Sequence, residues 1–212
     1  MSNFLRISAK RQSNTIETIA KKLKIVPPSV EKDVWVTAVL RALFALPYSE
    51  HLSFKGGTSL SKCYNLIERF SEDIDIAVYR DFLGFGGNLS KTQINDKLRR
   101  AACSFVREKL QFDVAKQLEN QGIKPDLFSV KVNITPITTT DPEIIEVHYK
   151  SHYNELSYLK PTVKIEVNGR SMNEPLQKVS LQSLVDKEFP DASFADHSFD
   201  VNAVVPERTF LE

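Results

Sequence analysis

Two acidic residues two positions apart, Asp73 and Asp75, are framed by Ile74 and Ile76 in the run Arg69-Phe70-Ser71-Glu72-Asp73-Ile74-Asp75-Ile76. On a β-strand, positions two apart project to one face, so both carboxylates share a face and both isoleucines share the other. Aspartate is depleted in strands, so two in one short strand call for a reason. A hard divalent cation wants oxygen ligands and takes few of them from protein, which suits this pair. A half-exposed strand with an acidic outer face has the same pattern.

Upstream stands Lys55-Gly56-Gly57-Thr58-Ser59-Leu60-Ser61-Lys62. Glycines let backbone approach a ligand closely. The first N–H groups of a helix lack intrahelical partners and, with the helix dipole, favour an anion such as phosphate. Gly56, Gly57, Thr58 and Ser59 are therefore candidate phosphate-binding residues, with Lys62 as a nearby cation. An ordinary strand–turn–helix junction with a Thr cap fits the same residues. The spacing is not that of a P-loop. A third carboxylate, Glu166, lies in Lys164-Ile165-Glu166-Val167. If that strand lies beside the one carrying the aspartates, the three acids form a cluster able to hold two Mg²⁺ for in-line transfer at phosphorus. An alternating edge strand with a Lys/Glu surface pair is the alternative. A calcium loop is excluded by Ala77, and a dehalogenase-type phosphatase by the polar residues ahead of Asp73. The four histidines form no HExxH, and His148 and His152 straddle a strand end.

These residues need elements to hold them. Residues 14–24 have helical apolar spacing, ending at Pro27-Pro28; Ser29 is a cap for a second helix over 30–46, stopped by Pro47. Residues 52–54 predict a short strand, 58–68 a helix and 74–78 a second strand. A long helix or helix pair follows over 91–121, carrying Lys97, Arg99, Arg100, Arg107 and Lys109. From residue 127 the pattern turns to alternating, β-branched strands over 128–134, 144–149, 163–167 and 199–205. The fold class is α+β: a mixed sheet flanked by helices, with an N-terminal helical segment over 1–50 and a core over 51–212.

The composition sets limits. A chain of 212 residues is long enough to bury a core without disulfides, and its two cysteines, Cys63 and Cys103, make no framework. The net charge of +1 argues against a strongly basic nucleic-acid clamp. Charge is nonetheless uneven: residues 1–24 hold six basic groups and one acid, and residues 181–212 hold seven acids and two basic groups. Either both ends are solvated faces, or the basic end meets RNA or an acidic partner. No apolar run approaches the ~20 residues of a membrane span. No signal core opens the chain, so a cytoplasmic location is expected.

Taken together, the stretches 54–62 and 69–76 resemble the AbiEii toxin family of the nucleotidyltransferase superfamily: a Gly-Gly-Thr helix start followed, ten residues after Ser59, by Arg-Phe-Ser-x-Asp-Ile-Asp. Residues 163–170 are similar to the family's third motif and 206–212 to a stretch near the start of its next helical region, the rest of which is expected to be absent or truncated in the 212 residues here.

The resemblance implies a nucleotidyltransferase-like sheet and a Mg²⁺-dependent transfer of a nucleoside monophosphate from a ribonucleoside triphosphate to RNA, notably the 3′ end of tRNA. It also implies a role as the toxin of a toxin–antitoxin, phage-defence system. Asp73, Asp75 and Glu166 would be the catalytic, metal-holding residues. Gly56, Gly57, Thr58, Ser59, Lys62, Arg69 and Ser71 would bind the nucleotide. A cognate antitoxin or transcriptional regulator is the implied partner. The rival readings are nucleotidyl or phosphoryl transfer onto a protein, and a nucleotide- or antitoxin-binding module without turnover.

Overall fold

The computed structural model describes residues 1–67, 73–133, 143–154, 159–169 and 175–211. Helix α1 (Ala9–Leu23) is amphipathic and buries Ile16, Ile19 and Ala20. It ends at Lys24 in the left-handed region (φ 56°), and the Lys24 amide bonds the Ala20 carbonyl. Helix α2 (Pro27–Phe44) starts at the two prolines rather than after them. A proline at the first helical turn loses no hydrogen bond, and its φ is already helical. Ser29 is consequently inside the helix, not its cap.

Helix α2 is buried around nearly its whole circumference, including Glu31, Lys32 and Asp33. It packs against α1, α5 (Gln111–Asn120), α6 (Leu184–Glu188) and the inner face of the sheet. Each of the three buried charges ties down a different segment. Glu31 accepts the His152 amide (2.8 Å) and the Ser151 hydroxyl. Lys32 donates to the Lys160 carbonyl (3.0 Å). Asp33 takes Lys62 in an ion pair and accepts the Leu184 amide (2.7 Å). Buried charges occur where such partners exist.

Seven strands form one mixed sheet: β1 (Leu52–Lys55), β2 (Asp73–Val78), β3 (Phe128–Asn133), β4 (Glu143–Tyr149), β5 (Thr162–Asn168), β6 (Leu176–Leu181) and β7 (Phe199–Val204). Their order is β3-β4-β5-β2-β1-β7-β6. The β2–β5 and β1–β7 pairs are parallel and the rest antiparallel. On β4 and β5 buried and less buried residues alternate strictly, and on β2 they do so as far as Ile76, beyond which Ala77 and Val78 are both buried. Ile74, Ile76, Ile145, Val147, Val163, Ile165 and Val167 join the core, and the positions between them face the other way. Helix α2 meets this face along β5 and β7; α5 packs on α2 and β3.

Short helix α3 (Gly56–Lys62) leaves β1 at once. It ends six residues before the sequence pattern did, because the chain turns at Asn65 through a left-handed conformation (φ 57°). The predicted 91–121 helix is present, with two π-helical segments, Gln93–Leu98 and Val106–Leu110, bracketing α4 (Arg99–Phe105) and leading into α5. Between residues 175 and 190 two elements had no counterpart in the sequence reading. One is β6 at the sheet edge. The other is α6, whose Ser183 and Asp186 form a reciprocal capping box. A last helix, α7 (Pro206–Leu211), packs on α3.

The two charged ends meet each other. Lys22 of α1 pairs with Glu188 of α6, and Arg11 lies 5.1 Å over the Phe194 ring. The Asn3 amide donates to Asp196 (2.9 Å). Part of the basic N-terminal segment is thus matched within the molecule by the acidic C-terminal one. Among the described residues no helix is long and apolar enough to cross a membrane.

Candidate active site

The register of the central strands brings the acids together. In the β2–β5 ladder, Asp75 stands opposite Glu166 and Asp73 opposite Lys164. All four occupy the face of the sheet away from the α2 core. Lys55, at the end of β1, is opposite Asp75 on the other side. The sheet therefore presents Lys55, Asp75 and Glu166 in one row, with Asp73 and Lys164 in the next.

Burial raises the Glu166 carboxyl above the usual carboxylate range, and the neighbouring Asp73 charge raises it further, against a lowering by Lys164. Like charges held this close disfavour ionisation. A divalent cation would relieve that repulsion. The donor set, oxygen-only and carboxylate, is the kind Mg²⁺ takes. Among the described residues no three His, Cys, Asp or Glu side chains already stand close enough to hold a metal ion. Mg²⁺ is commonly held by one or two carboxylates plus substrate phosphates rather than by a protein cage, so the residues fit it.

The Gly-Gly turn is shaped around Asp75. Gly56 has φ +73°, a conformation side chains rarely adopt, and a β-carbon there would fall 1.9 Å from Asp75 Oδ2. The start of α3 thus rests directly on the carboxylate. The hydroxyls that follow are turned inward. Thr58 and Ser59 are fully buried. Thr58 Oγ1 donates to the Asp73 carbonyl, tying α3 to the first residue of β2. Ser59 Oγ donates to the Gly56 carbonyl (2.9 Å). Both bonds fix the turn against the acidic strand. Lys62, at the far end of α3, is paired with Asp33 of α2, and Cys63 beside it has its thiol pushed up to about 12 by burial.

Of the residues singled out in the sequence, the structure gathers Gly56, Asp73, Asp75 and Glu166 at one place, with Gly57, Thr58 and Ser59 forming the adjoining helix start. Lys62 is engaged elsewhere. Arg69 and Ser71 lie outside the described residues, as does Arg170 of the third motif. Two neighbours were missed. Lys55 and Lys164 bring positive charge to the acidic rows, and the signal for Lys164 was its place two residues before Glu166. Asp33 was also missed; it stands in the charged run Glu31-Lys32-Asp33 of α2, and nothing local set it apart from its neighbours. In the 91–120 helix, Arg107 pairs with the buried Glu143, and Lys109 with Asp113 (3.1 Å), so these two basic residues have partners inside the protein.

The fold is similar to that of MenT4, a nucleotidyltransferase toxin from Mycobacterium tuberculosis H37Rv. The TM-score is 0.50 at 16% sequence identity, over 92% of this chain and 56% of that one. The chain therefore spans little more than half the length of that structure. No curated protein matches it in sequence. Residues 38–212, which contain every residue of the carboxylate rows and the glycine turn, match the family described as nucleotidyl transferase AbiEii toxin, type IV toxin–antitoxin system. The chain, with its Gly-Gly helix start resting on an Asp-x-Asp strand, belongs to the AbiEii toxin family.

Proposed function

We propose that the protein is a nucleotidyltransferase that moves a nucleoside monophosphate from a ribonucleoside triphosphate to a hydroxyl of RNA, with the 3′ end of tRNA as the acceptor. It acts as the toxin of a toxin–antitoxin pair whose partner is a cognate antitoxin or transcriptional regulator. One observation carries the site: Asp75 and Glu166 stand opposite each other on adjacent parallel strands, with the glycine turn laid against Asp75. Asp73, Asp75 and Glu166 are the residues that would hold Mg²⁺. Bound there, such an ion would offset negative charge on the triphosphate and on the pyrophosphate leaving group.

The chain's own groups do the rest by positioning and electrostatics. The amides at the start of α3, at Gly57, Thr58 and Ser59, face the triphosphate beside Asp75. The Thr58 and Ser59 hydroxyls hold that turn in register with β2. Lys55 and Lys164 balance the acidic rows before substrate arrives. Lys62, Arg69 and Ser71 complete the nucleotide set, with Lys62 exchanging Asp33 for phosphate.

A second reading has one observation in its favour. With no three carboxylates closed around a common point among the described residues, the chain would bind nucleotide or antitoxin without turnover. Calorimetry with the four ribonucleoside triphosphates, with and without Mg²⁺, tests the site. Transfer from α-labelled triphosphate to tRNA tests the reaction. Binding by wild type that is lost in Asp73→Asn/Asp75→Asn, together with labelled tRNA, is the expected result. Binding without label supports the second reading. Binding that persists unchanged in the double variant overturns the site assignment.

A further inference from the structure

Outside the carboxylate site, the same open face of the sheet carries a second arrangement. Thr162, Lys164 and Glu166 alternate along β5 on one face, and Ile144, Glu146 and His148 do so along β4. The register sets His148 opposite Thr162 and Glu146 opposite Lys164. Thr162 Oγ1 lies 3.0 Å from His148 Nδ1. His148 Nε2 lies 3.1 Å from Glu146 Oε2. With Nδ1 accepting from the hydroxyl, Nε2 carries the ring proton and donates it to the carboxylate. A hydroxyl, a base within hydrogen-bond reach and an acid orienting that base form the signature of an activated nucleophile. All three side chains are partly exposed.

We propose that Thr162 is a self-modification site: its hydroxyl accepts a nucleoside monophosphate from a triphosphate bound at the carboxylate site of a second copy of this chain. The inference rests on the nucleotidyltransferase reading given above. In the step, Thr162 Oγ forms a bond to the α-phosphorus. The bond from that phosphorus to the bridging oxygen of the β-phosphate breaks. Pyrophosphate leaves with the electron pair. The hydroxyl proton passes to His148 Nδ1, and the imidazolium so formed is held by Glu146.

Transfer within one chain is ruled out by reach. Thr162 and Glu166 are four residues apart on one strand, about 13 Å at ~3.3 Å per residue. Both sites lie on the open face, so two copies can present them to each other. Lys164, next along that face from Thr162, offers its ammonium to the new phosphodiester. A nucleotide attached there lies beside Lys164 and Glu166, so modification also obstructs the carboxylate site.

The test uses the full chain, Mg²⁺ and each α-labelled ribonucleoside triphosphate, with peptide mass spectrometry to place the label. A size-tagged Asp75→Asn chain serves as an acceptor that cannot label itself. Wild type is expected to label that acceptor at Thr162, whereas Asp75→Asn alone stays unlabelled. Thr162→Val should abolish the label yet keep transfer to RNA, and Thr162→Ser should retain it. His148→Gln should slow labelling by about 10²-fold or more, the usual worth of a general base. Glu146→Gln should move the pH profile of labelling, which a merely structural role would leave in place. A protein that labels RNA but never Thr162, or labels Thr162→Val equally well, overturns this inference alone. A protein that labels neither RNA nor itself overturns it together with the reading beneath it.

Discussion

At Gly56 two constraints coincide: a backbone φ of +73° and the Asp75 carboxylate where a β-carbon would be. Gly56→Ala therefore meets a left-handed penalty of about 1–2 kcal/mol and, in addition, must push Asp75 out of place. The expected outcome is a melting temperature lower by at least about 2 °C, with nucleotide binding lost in calorimetry. Glu166 separates stability from function. Its pKa is raised in the fold, so its contribution favours folding at acid pH and is lost as pH rises through the raised value. Glu166→Gln should thus melt higher than wild type at neutral pH without metal. Transfer should nonetheless fall by about a hundredfold or more, because the carboxylate would otherwise supply several kcal/mol through the bound cation. In wild type, Mg²⁺ binding should weaken as pH falls, beginning at a higher pH than an ordinary glutamate would give.

Helix α2 connects distant elements through charges that an apolar helix would not need. Asp33 holds Lys62 of α3 and the amide that opens α6. Asp33→Ala leaves Lys62 unpaired in a largely buried place, a loss of about 3–5 kcal/mol, readable by urea unfolding. The Arg107–Glu143 pair gives a second case. Glu143 is buried, and its Oε2 has no hydrogen-bond partner among the described residues. Arg107→Met alone should cost about 3 kcal/mol or more by stranding that charge. Arg107→Met/Glu143→Leu should recover most of it, and a double-mutant cycle would measure the difference. An equal loss in single and double variants would show that the pair itself is the stabilising element.

For the molecule as a whole, the sheet separates two jobs. One face, against α2, holds the core; the other carries the carboxylate rows and the Thr162–His148–Glu146 chain. Because α2 belongs to the same core as β2 and β5, removing residues 1–46 exposes Ile74, Ile76, Val163 and Ile165 together. Such a truncated chain is expected to be insoluble or to lack a cooperative thermal transition by circular dichroism. The pairing of α1 with α6 and the 194–196 segment matches the basic end to the acidic one. Raising salt to ~1 M, where exposed charges are screened within about 3 Å, should therefore lower the melting temperature slightly.

The sequence by itself determined the local chemistry. Alternation around Asp73 and Asp75, and around Glu166, assigned each acid a face, because the β period is 2 whatever the strand pairs with. The two glycines marked the turn, and the spacing to the second motif marked the family. Only the tertiary structure decided that β5 lies beside β2 in the register that sets Glu166 against Asp75, since partners 91 residues apart leave no local signature. It also decided the fate of the polar side chains. Thr58 and Ser59 had the composition of a phosphate grip, but the short link from β1 to α3 turns their hydroxyls into the protein. Lys62 had the look of a free cation, but α2 brings Asp33 to it, so a phosphate reaches it only by displacing that carboxylate. Whether a polar group meets ligand or protein depends on what the fold packs against it, and that is a property of the assembled layers.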